Sequence, residues 1–194
     1  MGLLERDDSI LVVVDAQPGF FARAWFSEQD SAAAGSALAR AAWLVALAAQ
    51  LGIPIVATEE EPERNGATDP SIADLLPLGT PVFRKPTFGL ASTPEILAAV
   101  RAATRRTAVV VGGETDVCVA QSAIGLCEEG FGCVVVADAT FSPGEMHARG
   151  LARLATAGVA SNHAKGVTYE WLRSVDDAHA VLGSGNLPAA PFRL

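Results

Sequence analysis

Short apolar runs alternate with longer amphipathic stretches along the whole chain. Runs of β-branched and aliphatic residues stand at 10–14, 53–57, 81–84, 107–111 and 133–137, with a shorter piece at 158–160. Each is continuous rather than alternating, which is the pattern of strands covered on both faces of a parallel sheet. Between them the spacing changes to that of helices. Ser36 to Leu51 is rich in Ala and Leu and is stopped by Gly52-Ile53-Pro54. Ser92-Thr93-Pro94-Glu95 opens a second helix with a capping residue, a first-turn proline and an early acid, and Ile96, Leu97, Val100 and Ala103 continue it. Cys118 to Glu129, ended by Gly130, and Pro143 to Ala157, ended by Gly158, make two more. Strands alternating with helices predict an α/β fold, a three-layer doubly wound sandwich with helices on both faces of the sheet. The polar, proline-containing stretch Glu59 to Pro70 reads as a loop after the second strand, and the chain from Gly183, with Pro188 and Pro191, as an irregular tail.

At 194 residues the chain fits one domain, 1–194, with a sizeable core. Half of its residues are hydrophobic, but the longest unbroken apolar stretch, Ala41 to Ala49, is too short to span a bilayer. The first eight residues have no basic start leading into an apolar core, so no secretory signal and no membrane partner are expected, and a cytoplasmic protein is the default. A net charge of −8 argues against nucleic acid as a partner, which requires a basic footprint. The three cysteines, Cys118, Cys127 and Cys133, show neither CxxC nor zinc-like spacing. Cys127 is nine residues beyond Cys118, about half a turn around a helix, so the two should face opposite ways. The histidines His147, His163 and His179 have no paired spacing suited to a metal, and no metal or other cofactor is expected. No GxSxG, Walker or GxGxxG sequence occurs, which leaves serine hydrolases, P-loop enzymes and Rossmann dehydrogenases without support.

Three residues carry candidate chemistry. Cys118 stands where the run Thr107 to Val111 has ended at Gly112-Gly113 and a helix begins. A helix N-terminus favours thiolate over thiol, so the position can make an ordinary cysteine reactive. Asp15 follows Ile10 to Val14, and Lys85 follows Pro81 to Arg84. Each lies where a buried strand leaves the sheet, and open α/β sheets bind ligands outside those carboxyl ends. Taken singly, each has a plain structural reading: an apolar filler for the cysteine, a turn former for the aspartate, a solvated lysine. The ammonium is expected to favour the charged forms of the acid and the thiol.

In VVVDAQPGF (Asp15), FRKPTFG (Lys85) and VVGGETDVCVAQSA (Cys118), the chain resembles the isochorismatase-like cysteine hydrolases, and Ala137-Asp138-Ala139 fits the same pattern. The resemblance runs from about Ile10 to Val159. It implies a six-stranded parallel sheet of order 3-2-1-4-5-6, which sets Asp15 and Cys118 face to face at the topological switch with Lys85 two strands away. It implies an Asp-Lys-Cys triad: Cys118 attacks a carbonyl, Asp15 moves protons and Lys85 supplies positive charge. It further implies an oxyanion site from the backbone N–H groups of Glu114 and Cys118 beside a cis Gly113–Glu114 peptide, and a homo-oligomer, dimer or tetramer, built partly on the tail.

The activity expected is hydrolysis of an amide or ureido C–N bond in a small molecule through a thioester. Two rival readings stand beside it: vinyl-ether hydrolysis releasing pyruvate, which needs no thiol, and a non-catalytic scaffold or thiol redox sensor. The aromatic residues Phe20, Phe21, Trp25 and Phe88, in loops after Asp15 and Lys85, could line a substrate pocket. Glu59 and Glu60 follow the second strand and could touch substrate, but their plainer reading is as solvated loop charges. Where the nicotinamidase branch has Asp-x-His, this chain has Thr58-Glu59-Glu60-Glu61, which speaks against a metal-assisted nicotinamidase.

Overall fold

In the computed structural model, which describes residues 2–193, six strands form one parallel sheet. They are β1 (Ser9–Val14), β2 (Ile55–Glu60), β3 (Val82–Lys85), β4 (Thr107–Gly113), β5 (Gly132–Phe141) and β6 (Ala160–Asn162), in the order β3-β2-β1-β4-β5-β6. The helices are α1 (Pro18–Phe21), α2 (Glu28–Leu51), α3 (Pro62–Asn65), α4 (Pro70–Ala73), α5 (Pro94–Ala102), α6 (Ala120–Glu128), α7 (Met146–Thr156), α8 (Ala164–Leu172) and α9 (Val175–Leu182).

Alternate residues of each strand face opposite layers, and the core is divided accordingly. Leu11, Val13, Val109, Val111, Val134 and Val136 pack under α2, α4 and α8, with Trp43, Leu44, Leu47, Ile72 and Trp171 completing that layer. Ile10, Val12, Val14, Val110 and Val135 pack under α5, α6 and α7, against Ile96, Val100, Val119, Ala123, Leu126 and Leu154. All six residues of β1 are buried, as a strand with a neighbour on each side and helices above and below must be.

Several boundaries differ from the expectation, each for a local reason. Helix α2 begins at Glu28 rather than Ser36, because Ser27 caps it: the hydroxyl accepts from Asp30 N at 3.0 Å while the Asp30 carboxylate accepts from the Ser27 amide. By length and composition this helix passes the test for a bilayer span, yet its run from Ala41 to Ala48 lies buried on the sheet. Strand β2 runs on to Glu60, so the acidic stretch thought to be loop starts as strand. Strand β5 runs on to Phe141 through a register shift opposite Val110 and Gly112. The expected strand at 158–160 is displaced to Ala160–Asn162, and α8 and α9 were not foreseen. Residues 183–193 form neither helix nor strand, and Phe192 sets its ring edge-on against Trp43 of the same chain at 5.7 Å.

One glycine decides whether β1 and β4 can close at the end where the site lies. Gly112 has φ +118°, and a β-carbon there would stand 1.9 Å from the Val14 carbonyl oxygen. Gly112→Ala should therefore cost about 2–4 kcal/mol. Gly130→Ala, also at positive φ (+91°) but with no neighbour within 4 Å, isolates the backbone contribution and should cost only about 1 kcal/mol. Urea unfolding of the two variants checks the difference; equal losses would mean that the close approach to Val14 carries no energy.

Candidate active site

The three candidate residues converge. Asp15 leaves β1 with φ +44°, a conformation uncommon outside glycine but tolerated best by Asp and Asn, and this bend turns its carboxylate back over the strand ends. Lys85, the last residue of β3, reaches across β2 and brings Nζ to 2.8 Å from Asp15 Oδ2, with both side chains fully shielded from solvent. The ammonium also donates to the carbonyls of Thr87 (2.8 Å) and Phe88 (2.9 Å), so each of its protons has an acceptor in reach. Thr58 Oγ1 donates to Asp15 Oδ1 at 2.7 Å. Oδ2, by contrast, accepts no aligned hydrogen bond; its contact with Lys85 is an ion pair held by charge.

Cys118 stands in a π-helical turn, Thr115–Val119, that leads into α6. Its Sγ belongs with a carboxylate oxygen of Asp15 and one of Glu60 to a cluster whose atoms all lie within 4.8 Å of one another, and the thiol points at Glu60 Oε2, 3.8 Å away. These three are the one group of potential metal donors of this kind among the described residues. At Asp15 the positive charge is already supplied by Lys85. The Gly113–Glu114 peptide preceding the turn is cis, and Glu114 O accepts from Val117 N (3.2 Å) and Val119 N (3.0 Å).

The electrostatics run against the expectation that the thiol rests ionised. Burial pushes the Cys118 pKa far up, the Asp15 charge and hydrogen bond and the Glu60 charge push the same way, and only Lys85 opposes them. Cys118 is 2% exposed, and two carboxylates outweigh one ammonium already paired to the nearer of them. These causes favour Cys118 as a thiol rather than a thiolate. Burial also raises the Glu114 pKa, helped by Asp116 and Glu60 and opposed by Arg23.

Supporting residues escaped the sequence reading. Gln17, fully buried, accepts from Glu60 N at 2.7 Å and donates to Glu60 O at 3.1 Å, while Asn65 donates to the same carbonyl at 3.0 Å. Thr115 meets His147 Nδ1 at 2.9 Å, and Ser142 Oγ bridges Asp116 N (3.3 Å) and Asp116 Oδ1 (2.6 Å), so the β5–α7 segment clamps the turn that carries Cys118. Burial lowers the His147 pKa, against the Ala137 hydrogen bond and the Asp116 charge, which keeps the ring neutral where it holds Thr115. The only sequence signal for these contacts was polarity at positions flanking the motifs.

The aromatic candidates divide. Phe88 is half exposed and lines a cavity of about 670 Å³ with Glu60, Glu61, Arg64, Arg84 and Lys85. Phe20 is buried beneath the Arg23 guanidinium, 5.6 Å from its ring centre. Phe21 packs on Phe141 and against Gly113. Trp25 is largely exposed, edge-on to Phe26. Glu59 is tied to the amide and hydroxyl of Thr68 at 2.6 and 2.7 Å. Cys127 and Cys133 are free thiols apart from the Asp15–Glu60–Cys118 cluster, and burial, helped by Cys127, pushes the Cys133 pKa up.

A parallel sheet of this order, with an acid, an ammonium and a thiol gathered at its switch point, is the architecture of the isochorismatase-like class. The Isochorismatase domain model matches residues 9–164, and the chain belongs to that family. Isochorismatase domain-containing protein 1 of Danio rerio is 38% identical over 112 residues, 56% of this chain but only 38% of that longer protein. Among solved structures, the YcaC gene product of Escherichia coli, described as an octameric hydrolase of unknown specificity, is 25% identical with TM-score 0.81 over 95% of this chain and 89% of that one. YcaC from Pseudomonas aeruginosa, solved with hexane-2,5-diol and covalent acrylamide, is 26% identical with TM-score 0.78 over 97% and 93%. The MAR1 ribonuclease of Caenorhabditis elegans, 22% identical with TM-score 0.81 over 98% and 95%, shares the fold.

Proposed function

We propose that the chain is a cysteine hydrolase that cleaves an amide or ureido C–N bond of a small molecule, with Cys118 as nucleophile, Asp15 as proton carrier and Lys85 as its fixed counter-charge. The observation that carries this reading is the solvent-shielded Asp15–Lys85 ion pair, 2.8 Å long, packed beside a protonated thiol. A charge pair is costly to bury, and here it flanks the one thiol placed at the switch of the sheet.

As the thiol attacks the carbonyl carbon, its proton passes to the Asp15 carboxylate, which Lys85 and Thr58 hold in place. The S–C bond forms, and the oxyanion is held by backbone N–H groups of Glu114 and Cys118. Collapse breaks the C–N bond while Asp15 returns the proton to the leaving nitrogen. Water then attacks the thioester as Asp15 takes one of its protons; the acid leaves and that proton goes back to the sulfur. Lys85 keeps its charge throughout.

The chain is further proposed to work as one domain, 1–194, with the irregular tail completing it, and in a homo-oligomer, as the octameric relative does.

The test is a panel of small amides, ureido compounds and isochorismate, reading ammonia and pyruvate together, with intact-mass analysis during turnover. Ammonia release with an acyl adduct mapped to Cys118 is the expected result. Pyruvate release with no adduct would overturn the mechanism in favour of vinyl-ether chemistry. Peroxide-dependent modification of Cys118 with no turnover would favour a redox role instead.

A further inference from the structure

Two carboxylates face Cys118, and one of them has no cation. Asp15 is matched by Lys85. Glu60 presents Oε2 3.8 Å from the sulfur, and among the described residues no basic side chain lies within ion-pair distance of it. Of the other cations, Arg64 pairs with Glu61 at 3.6 Å, Arg84 pairs with Glu63, and Arg23, which joins no ion pair among the described residues, lies over Phe20. Lys85 has spent its remaining donors on the carbonyls of Thr87 and Phe88. Nor is Glu60 loosely held. Its main chain is fixed on both sides by the buried Gln17 and again by Asn65, so the end of β2 delivers this carboxylate to a set place beside the nucleophile.

We propose that Glu60 sets the substrate class: it accepts molecules that present N–H donors or positive charge beside the scissile carbonyl, such as primary amides, ureas and amidines, and it excludes those with a carboxylate or phosphate there. This rests on Cys118 being the nucleophile. A carboxylate on the substrate would stand about 5 Å from Glu60 in a partly dry cavity, where like charges repel enough to slow reaction at the thiol by roughly tenfold or more. An N–H group placed there instead gains a charge-assisted hydrogen bond. Burial is the main cause that holds the thiol protonated, and the Glu60 charge adds to it in the same direction.

The inference can be tested without knowing the substrate. Iodoacetamide and iodoacetate alkylate thiols alike except for charge: the S–C bond forms, iodide leaves and the thiol proton goes to solvent. Their rates at Cys118, followed by peptide mass mapping and each divided by the rate at a free small thiol in the same buffer, give a charge preference from which any change in thiolate population cancels. The native protein should favour iodoacetamide by about tenfold or more. Glu60→Gln, matched in shape, should bring the ratio within about threefold of one, while Glu61→Gln, which removes a carboxylate already paired with Arg64, should leave it unchanged. A native protein that reacts without preference, or Glu60→Gln and Glu61→Gln variants that behave alike, would overturn the role of Glu60 and leave the cysteine mechanism standing. A Cys118 that reacts with neither reagent in the native protein and in Glu60→Gln would overturn the role of Glu60, because burial alone would then close the thiol to both, and the cysteine mechanism would be decided by the acyl adduct.

Discussion

Cys118→Ala is expected to lower turnover of any amide or ureido substrate by about 10^4-fold or more, because in the proposed mechanism the sulfur is the atom that bonds to the carbonyl carbon. Stability should hardly change. The sulfur is a small part of the layer that includes Val119, Ala123 and Leu126, and its loss creates a cavity worth about 1 kcal/mol. Cys118→Ser should be nearly as inactive. The environment that holds a thiol protonated opposes ionisation of a hydroxyl still more strongly, and Asp15 would have to accept its proton with no gain in nucleophile strength. Steady-state assays on the substrate found by the panel, beside thermal melts, check both. Retained activity with an intact fold would remove the acyl-enzyme from consideration.

The direction of the Cys118 shift shows where reading the chain stops. Position at a helix start was legible, and it argues for a thiolate. Depth was not. Burial comes from Val119 and Ala120 closing over the turn and from β1 and β4 closing beside it, and no local pattern reports how much water that excludes. The same division holds elsewhere. Asp15, Lys85 and Cys118 were legible because each is a charge or a thiol directly after an apolar run, a contrast that is local.

Glu60 was misread because Thr58-Glu59-Glu60-Glu61 has the composition of a solvated loop. Its environment is set at a distance, by Gln17 two residues past Asp15 and by Asn65 in α3. Helices α8 and α9 are nine and eight residues long, so although Ala164, Val167, Trp171 and Leu172 keep helical spacing in α8, each periodic run is too short to stand out in the sequence. The early start of α2 was legible in principle, since Ser27 with Asp30 three residues on is a capping signal that was not used.

Lys85→Met should be the most damaging single change at the site for stability, and it should cost much of the activity as well. It leaves the Asp15 carboxylate buried with no counter-charge and strips the donor from the carbonyls of Thr87 and Phe88. Breaking one side of a buried pair costs about 3–5 kcal/mol. For a chain of this length that is a fall in melting temperature of about 10 °C or more. Turnover should drop by about 10^3-fold or more, since the proton carrier no longer has the field that fixes it. The decisive comparison is the double variant Asp15→Asn with Lys85→Met. Asparagine suits the positive φ at position 15 and can keep the hydrogen bond from Thr58, and with both charges gone most of the lost stability should return. The recovery stays incomplete because the two carbonyls still lack their donor, and activity does not return at all. A Lys85→Met protein as stable as the native one would mean that the pair is not the buried, mutually compensating unit its geometry describes. A double variant no more stable than the single one would place the damage in the orphaned carbonyls rather than in the charge.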